Sequence, residues 1–343
     1  MHLKFRIFTT ILLTIAIFTT ACAVENPRTA LVQEAPVAAS KFNNSQPWPS
    51  PLYYENASQR YADLVYASTS NSQKLDLYLP AHAKKPYPVI VAIHGGSWIS
   101  GDKATGEVNP EMRALKYGFA VASINYRLST EASFPAPLQD VKAAVRFIKA
   151  HAKKYKLDDS KVIVWGDSAG ANLAALAGTT SKIKGLEDKT MGSPKENSSV
   201  DAVVAFFPPT SMLNYLELFR QNDIKPEFKE LERIKYAQMY IGGPYEANSS
   251  KLKAVNPINY VTNDAPPFFI INGDKDNVVP FQEGKNLADV LANTIGPKNV
   301  AYYIVRGGGH GGSAFEDSRN LEPIFAFLHQ QLGTPDTIVK VKK

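Results

Sequence analysis

Two kinds of apolar spacing divide the chain. Beyond residue 88, short runs are apolar at nearly every position: 89–93, 119–124, 162–165, 202–207, 268–271 and 301–305. Runs of that length without alternation predict strands buried on both faces, as in a parallel sheet covered by helices. Earlier, residues 61–67 and 74–79 alternate apolar with polar positions, which predicts two antiparallel strands. Between the buried runs a different rhythm appears. Leu138, Val141, Val145, Ile148 and Ala152 recur at three and four residues, and so do Leu321, Ile324, Leu328 and Leu332. Each set draws one apolar stripe along a helix. Antiparallel strands followed by repeated strand–helix units predict an α/β domain with a mostly parallel, doubly wound sheet over residues 59–335. The stretch 208–260 is long for a connection and has a helical patch near 228–239, so a small lid is expected there.

The first 58 residues follow neither rhythm. Lys4 and Arg6 precede an apolar run over 7–18 that ends in Thr19, Thr20 and Ala21, the layout of a signal peptide over 1–21 and too short for a membrane span. Residues 22–58 are rich in Ala, Asn, Ser, Gln and Pro and are expected to be a flexible spacer. Cys22 is the only cysteine, so no intramolecular disulfide forms. Its position directly after the leader resembles a bacterial lipobox, with Thr19 standing where an aliphatic residue is usual. The resemblance implies acylation of Cys22, a membrane tether and a periplasmic location; the alternative is ordinary cleavage and a soluble exported protein.

Composition adds limits. With 343 residues, 44% hydrophobic and 20% charged, the chain can bury a large single core. The formal net charge is +6, but Lys153, Lys154 and Lys156 sit at a helix end and Lys340, Lys342 and Lys343 belong to a basic tail over 336–343. Neither cluster interleaves aromatics along one element, so no nucleic-acid partner is expected. The six histidines lack metal-ligand spacing, and neither a metal nor another cofactor is implied.

The chemistry is concentrated in three glycine-rich turns. Gly166-Asp167-Ser168-Ala169-Gly170 follows the run 162–165 and precedes a helix-like stretch over 172–177. A G-x-S-x-G segment between a buried strand and a helix holds its serine on a tight turn with the hydroxyl exposed, which marks Ser168 as a nucleophile. A serine hydroxyl needs a base. His2 lies in the leader, His82 in a turn between early strands, His151 off the helix stripe and His329 in the final helix. His310, in the glycine-rich loop 307–312 after the last buried run, remains. A carboxylate must orient the imidazole. Asp274 and Asp276 both follow the run 268–271, and spacing alone does not choose between them. His94-Gly95-Gly96-Ser97-Trp98 follows the run 89–93. Its backbone N–H groups at Gly95, Gly96 and Ser97, with that of Ala169, are the expected oxyanion donors. His94 is then an organiser of the loop, and Trp98 is either core or pocket wall.

Taken together, residues 93–98, 101–103, 123–128, 137–141, 166–170, 266–268 and 273–280 resemble the landmarks of the hormone-sensitive-lipase-like and bacterial feruloyl-esterase-like groups of α/β-hydrolases. The resemblance runs in order from about residue 60 to 333. It implies the α/β-hydrolase fold, hydrolysis of a small-molecule carboxylic ester, and Asp276 as the triad acid, because that family's acid sits in a Gly-x-x-Asp-x-x-Val-Pro segment. Ser97 departs from the third glycine of the lipase-like branch and fits the feruloyl-esterase-like branch. A related formamidase branch shares the His-Gly-Gly-x-Trp segment, so hydrolysis of a small amide is the alternative activity. A catalytically silent binding protein on this scaffold is a third reading, which an intact triad disfavours.

Overall fold

The computed structural model describes residues 31–34, 54–246 and 249–334. The leader, Cys22 and the basic tail lie outside the described residues. Nine strands are present among those described: β1 (Leu31–Glu34), β2 (Ala57–Val65), β3 (Lys74–Pro80), β4 (Tyr87–Ile93), β5 (Ala120–Ile124), β6 (Leu157–Asp167), β7 (Ala202–Phe206), β8 (Phe268–Gly273) and β9 (Val300–Val305). They form one sheet in the order β1-β9-β8-β7-β6-β4-β5-β3-β2. Only the pairs β2·β3 and β3·β5 are antiparallel. The segment expected to be wholly an irregular spacer contains β1, whose backbone pairs in parallel with β9 from Leu31 opposite Ala301.

Helices of seven residues or more are α1 (Ala136–Ala150), α2 (Ala169–Thr179), α3 (Tyr215–Gln221), α4 (Glu230–Ile241), α5 (Phe281–Ile295) and α6 (Ser318–Leu332). Because successive strand residues face opposite ways, β4 splits its side chains between two cores. Val89, Val91 and Ile93 join Val141 and Val145 of α1, Leu173 and Leu176 of α2, and Leu287 and Leu291 of α5. Ile90 and Ala92 join Leu321, Ile324 and Leu328 of α6. Both faces are therefore covered, which is why the central runs carry no polar alternation. The stripe expected to reach Ala152 is broken: α1 ends at Ala150, and Ala152–Tyr155 forms a separate short turn after His151.

A buried ion pair ties the start of α1 to the sheet. Asp140 has no solvent exposure. Its carboxylate accepts the Arg127 backbone N–H at 2.8 Å, the Arg127 Nε at 2.9 Å and the Gln73 amide at 2.7 Å. Removing one member of such a pair strands the other without compensation. Asp140→Ala is expected to lower the unfolding free energy by roughly 3 to 5 kcal/mol, read as an earlier midpoint with unchanged slope in urea titration.

Candidate active site

Ser168 stands between β6 and α2 with φ 52° and ψ −115°, a backbone conformation that L-residues rarely occupy. The flanking glycines are required by contact. A Cβ at Gly166 would sit 2.4 Å from the Gly170 carbonyl oxygen, and a Cβ at Gly170 would sit 2.0 Å from the Ile93 carbonyl oxygen. Strand, turn and helix can meet this closely only without those side chains. The Ser168 N–H is held by the Phe206 carbonyl at 2.9 Å, so the turn is braced from β7 as well.

Three loops at the carboxyl ends of the strands converge there. His310 Nε2 lies 2.9 Å from Ser168 Oγ, and its Nδ1 lies 2.8 Å from Asp276 Oδ2. Asp276 is 1% exposed, and its other oxygen accepts the N–H groups of Val278 and Val279 at 2.8 and 2.9 Å. Those bonds aim the free lone pairs at the imidazole. Asp274 has another post: its Oδ1 accepts the Gly307 N–H at 2.6 Å and thereby anchors the loop that carries His310. Phe207 packs on the His310 ring with centroids 4.4 Å apart.

Gly95, Gly96 and Ser97 lie beside this row. A Cβ on Gly95 would be only 3.4 Å from the Ser168 Cβ. Among the described residues, the N–H groups of Gly96 and Ser97 donate to no backbone carbonyl. The N–H of Ala169 belongs to the first turn of α2, where intrahelical acceptors are lacking. His94 is 1% exposed, stacks on Tyr126 at 4.5 Å, and places Nδ1 2.9 Å from the Gly95 carbonyl oxygen. Burial pushes its pKa down from 6.5 to about 4, so the ring is neutral at pH 7.

Ser168 and Ser97 separate two hollows. One lies under the lid and is mostly apolar, lined among others by Trp98, Met212, Tyr215, Phe228, Arg233 and Tyr245. Trp98 is both core and wall: it is buried, stacks on Tyr240 at 4.1 Å, and lines this hollow. The other is lined by His310, Gly95, Gly96, Glu107, Asp167 and Phe207. Burial raises the Glu107 carboxyl above its ordinary range. Asp167, next to Ser168 in the chain, and Glu111 are neighbouring buried carboxyls, and burial holds both well above the usual carboxylate range.

The segment 208–260, expected to form a lid, is fastened from below. Asn172 of α2 donates to the carbonyls of Pro209 and Val255 at 2.9 and 3.0 Å and accepts the Tyr240 hydroxyl at 2.9 Å. Glu283 of α5 accepts the N–H groups of Thr210 and Ser211, each at 2.6 Å, and that of Met212 at 3.1 Å. Sequence reading singled out neither residue, because their partners lie 37 to 83 positions away.

A family model described as BD-FAE matches residues 75–291. The chain is similar to the probable carboxylic ester hydrolase LipM of Mycobacterium tuberculosis, with 29% identity over 254 residues covering 71% of this chain and 55% of LipM. Among solved structures it is similar to a truncated form of a carbohydrate esterase from gut microbiota. That likeness has 32% identity and a TM-score of 0.70, covering 83% of this chain and 100% of the other. A bifunctional GH43-CE protein of Bacteroides eggerthii matches at 34% identity and a TM-score of 0.67, covering 79% of this chain and 38% of the other. The chain spans a little over half the length of the mycobacterial relatives, 55% of LipM and 59% of the esterase LipC.

The buried neutral His94 has a consequence for stability. Unfolding restores its ordinary affinity for a proton, so the unfolded chain binds more protons than the folded one between pH 6.5 and about 4. This contribution is complete above pH 6.5 and is lost as pH falls through that window. Urea unfolding should show stability dropping by up to about 3 kcal/mol from this group. His94→Gln should flatten the slope.

Proposed function

The chain belongs to the BD-FAE family, within the α/β-hydrolase esterase group, and on that premise we propose that it hydrolyses carboxylic esters through an acyl-enzyme formed on Ser168. One observation carries the reading: an unbroken hydrogen-bonded row from Ser168 Oγ through His310 to a buried Asp276. Ser168 Oγ attacks the ester carbonyl carbon while His310 Nε2 takes the hydroxyl proton. The carbonyl π electrons move to oxygen, and the N–H groups of Gly95, Gly96, Ser97 and Ala169 receive that oxyanion. Asp276 fixes the imidazole tautomer and stabilises the imidazolium. Collapse of the intermediate breaks the bond to the alkoxy oxygen, which takes the proton from His310 and leaves as alcohol. Water, deprotonated by the same imidazole, then attacks the acyl carbon and releases the acid and Ser168.

The two hollows have different duties in this scheme. The leaving oxygen must depart towards the proton donor, so the hollow lined by His310 takes the alcohol. The acyl group therefore lies under the lid, in the hollow lined by Trp98 and Tyr215. Glu107, Asp167 and His310 on the alcohol side offer polar groups to a hydroxyl-rich leaving group, in keeping with the carbohydrate esterase among the similar structures. For location, the basic-then-apolar leader and the sole cysteine at its end support a lipid-anchored exported hydrolase. An acylated Cys22 would tether the domain to a membrane surface and leave it facing the aqueous phase.

Ser168→Ala should cost about a thousandfold or more in p-nitrophenyl acetate turnover without loss of folding, since a triad acts as a unit; activity within tenfold of wild type would remove Ser168 from the nucleophile role. Asp276→Asn should be severe, whereas Asp274→Asn should act mainly on stability of the His310 loop, measured by kcat and by thermal melting. Fractionation of cells expressing the full chain beside Cys22→Ser tests the anchor. The wild type is expected in the membrane fraction with added lipid mass and the variant without that mass.

A further inference from the structure

The acyl hollow contains a cation that the proposed hydrolysis does not use. Arg233, on α4, lines the same cavity as Ser168. Its guanidinium lies over the Tyr215 ring, 4.8 Å from the centroid. No carboxylate forms an ion pair with it among the described residues. Of the acids near it in the chain and the fold, Glu283 holds Thr210, Ser211 and Met212, Glu227 receives the Asn277 amide, Glu232 caps the N-terminus of α4, Asp276 holds His310, and Glu230 is exposed. The Nε of Arg233 is buried and has no protein acceptor.

Two further donors share that condition. The Tyr215 hydroxyl and the Trp98 indole N–H both belong to buried side chains lining this cavity, and neither has a hydrogen-bond partner. Burial holds the Tyr215 hydroxyl well above its ordinary pKa, so it keeps its proton. A buried donor without an acceptor costs free energy. The three side chains line one hollow, one of them a half-buried cation without an ion-pair partner, and the group best matched to such donors is an anionic oxygen pair. An acyl chain ending in a neutral alkyl group would leave all three unmet.

We propose that Arg233, with the Tyr215 hydroxyl and the Trp98 N–H, selects esters whose acyl group carries a second, free carboxylate, so that the substrate class is half-esters of dicarboxylic acids. This rests on the acyl-enzyme reading above and on its assignment of the acyl group to the lid side. Arg233 is a specificity determinant and takes no part in bond making.

The test uses the full chain and matched substrates: monoethyl succinate, glutarate and adipate against ethyl esters of monocarboxylic acids of the same length, followed by ethanol release at pH 7.5. Wild type should prefer at least one half-ester over its neutral match by about tenfold or more in kcat/KM, the worth of one charge-assisted hydrogen bond. High salt should erode that preference. Arg233→Met should bring the ratio to one or below, and Arg233→Lys should retain part of it. A wild-type ratio at or below one for every length, or an unchanged ratio in Arg233→Met, overturns the proposal while hydrolysis of the neutral esters leaves the esterase reading standing. If neither class is turned over faster than by Ser168→Ala, the esterase reading itself fails. Should Arg233→Met not fold, the wild-type ratios and their salt dependence decide alone.

Discussion

Everything at this centre depends on how closely three pieces of backbone meet around Ser168. The carbonyl of Ile93, at the end of β4, occupies the space where a Cβ of residue 170 would be, and the Gly170 carbonyl occupies the same space for residue 166. That contact fixes the start of α2 against the sheet. It also brings the Gly95 loop within van der Waals range of the Ser168 side chain. Ser168 is left with a strained φ of 52°, of order 1 to 3 kcal/mol, which the surrounding sheet must over-determine. The Ser168 N–H bond to the β7 carbonyl at Phe206 and the two buried cores supply that constraint. The strain has a use: it lifts the hydroxyl out of the turn towards the imidazole instead of along the helix axis.

The lid is attached to the same helix that the turn begins. Asn172, four residues beyond Ser168, satisfies its donors on Pro209 and Val255 and its acceptor on Tyr240. The Tyr240 ring in turn stacks on Trp98, which directly follows Ser97. A displacement of α2 would therefore move Ser168, the expected lid segment and the pocket wall together. The sheet ends hold the groups proposed to make and break bonds, and the segment above them is tied back through Asn172 and Glu283.

How much of this was readable from the residues follows from the range of each interaction. The strands and the serine turn are local: their apolar runs and glycines act on neighbours within a few positions, and β4, β6, β8 and β9 contain the expected runs, while β5 and β7 each fall one residue short, leaving out Phe119 and Phe207. The acid was only half readable. Asp274 and Asp276 are two positions apart in one loop, and their division of labour depends on which backbone N–H groups face them: those of Val278 and Val279 for one, and that of Gly307 for the other. Family likeness, not spacing, pointed to Asp276. The Glu283 contact with Thr210 spans 73 positions and has no local signature. Arg233 was invisible for a related reason, since an arginine on an amphipathic helix normally marks the solvent face. Strand β1 escaped because its pairing partner β9 is remote and its composition is that of a linker.

The charges around Ser168 then form a gradient that bears on the proposed chemistry. Attack on an ester places negative charge on the carbonyl oxygen, and full carboxylates directly behind the nucleophile would oppose it. Asp167, Glu111 and Glu107 are close by, but burial opposes the ionisation of each, which lessens the charge they set against the oxyanion. Asp276 differs because two N–H donors and the imidazole compensate its charge. On the lid side the sign reverses, with Arg233 contributing a positive charge to the hollow. The oxyanion would thus develop between acids whose ionisation burial disfavours and a cation, a field that favours charge at the reacting oxygen. The same cation would draw an acyl carboxylate towards the lid side, whereas the residues lining the alcohol side include no arginine or lysine. Orientation of an asymmetric half-ester would therefore follow from the arginine that receives it, with burial of the acids lessening the charge that would oppose the reaction.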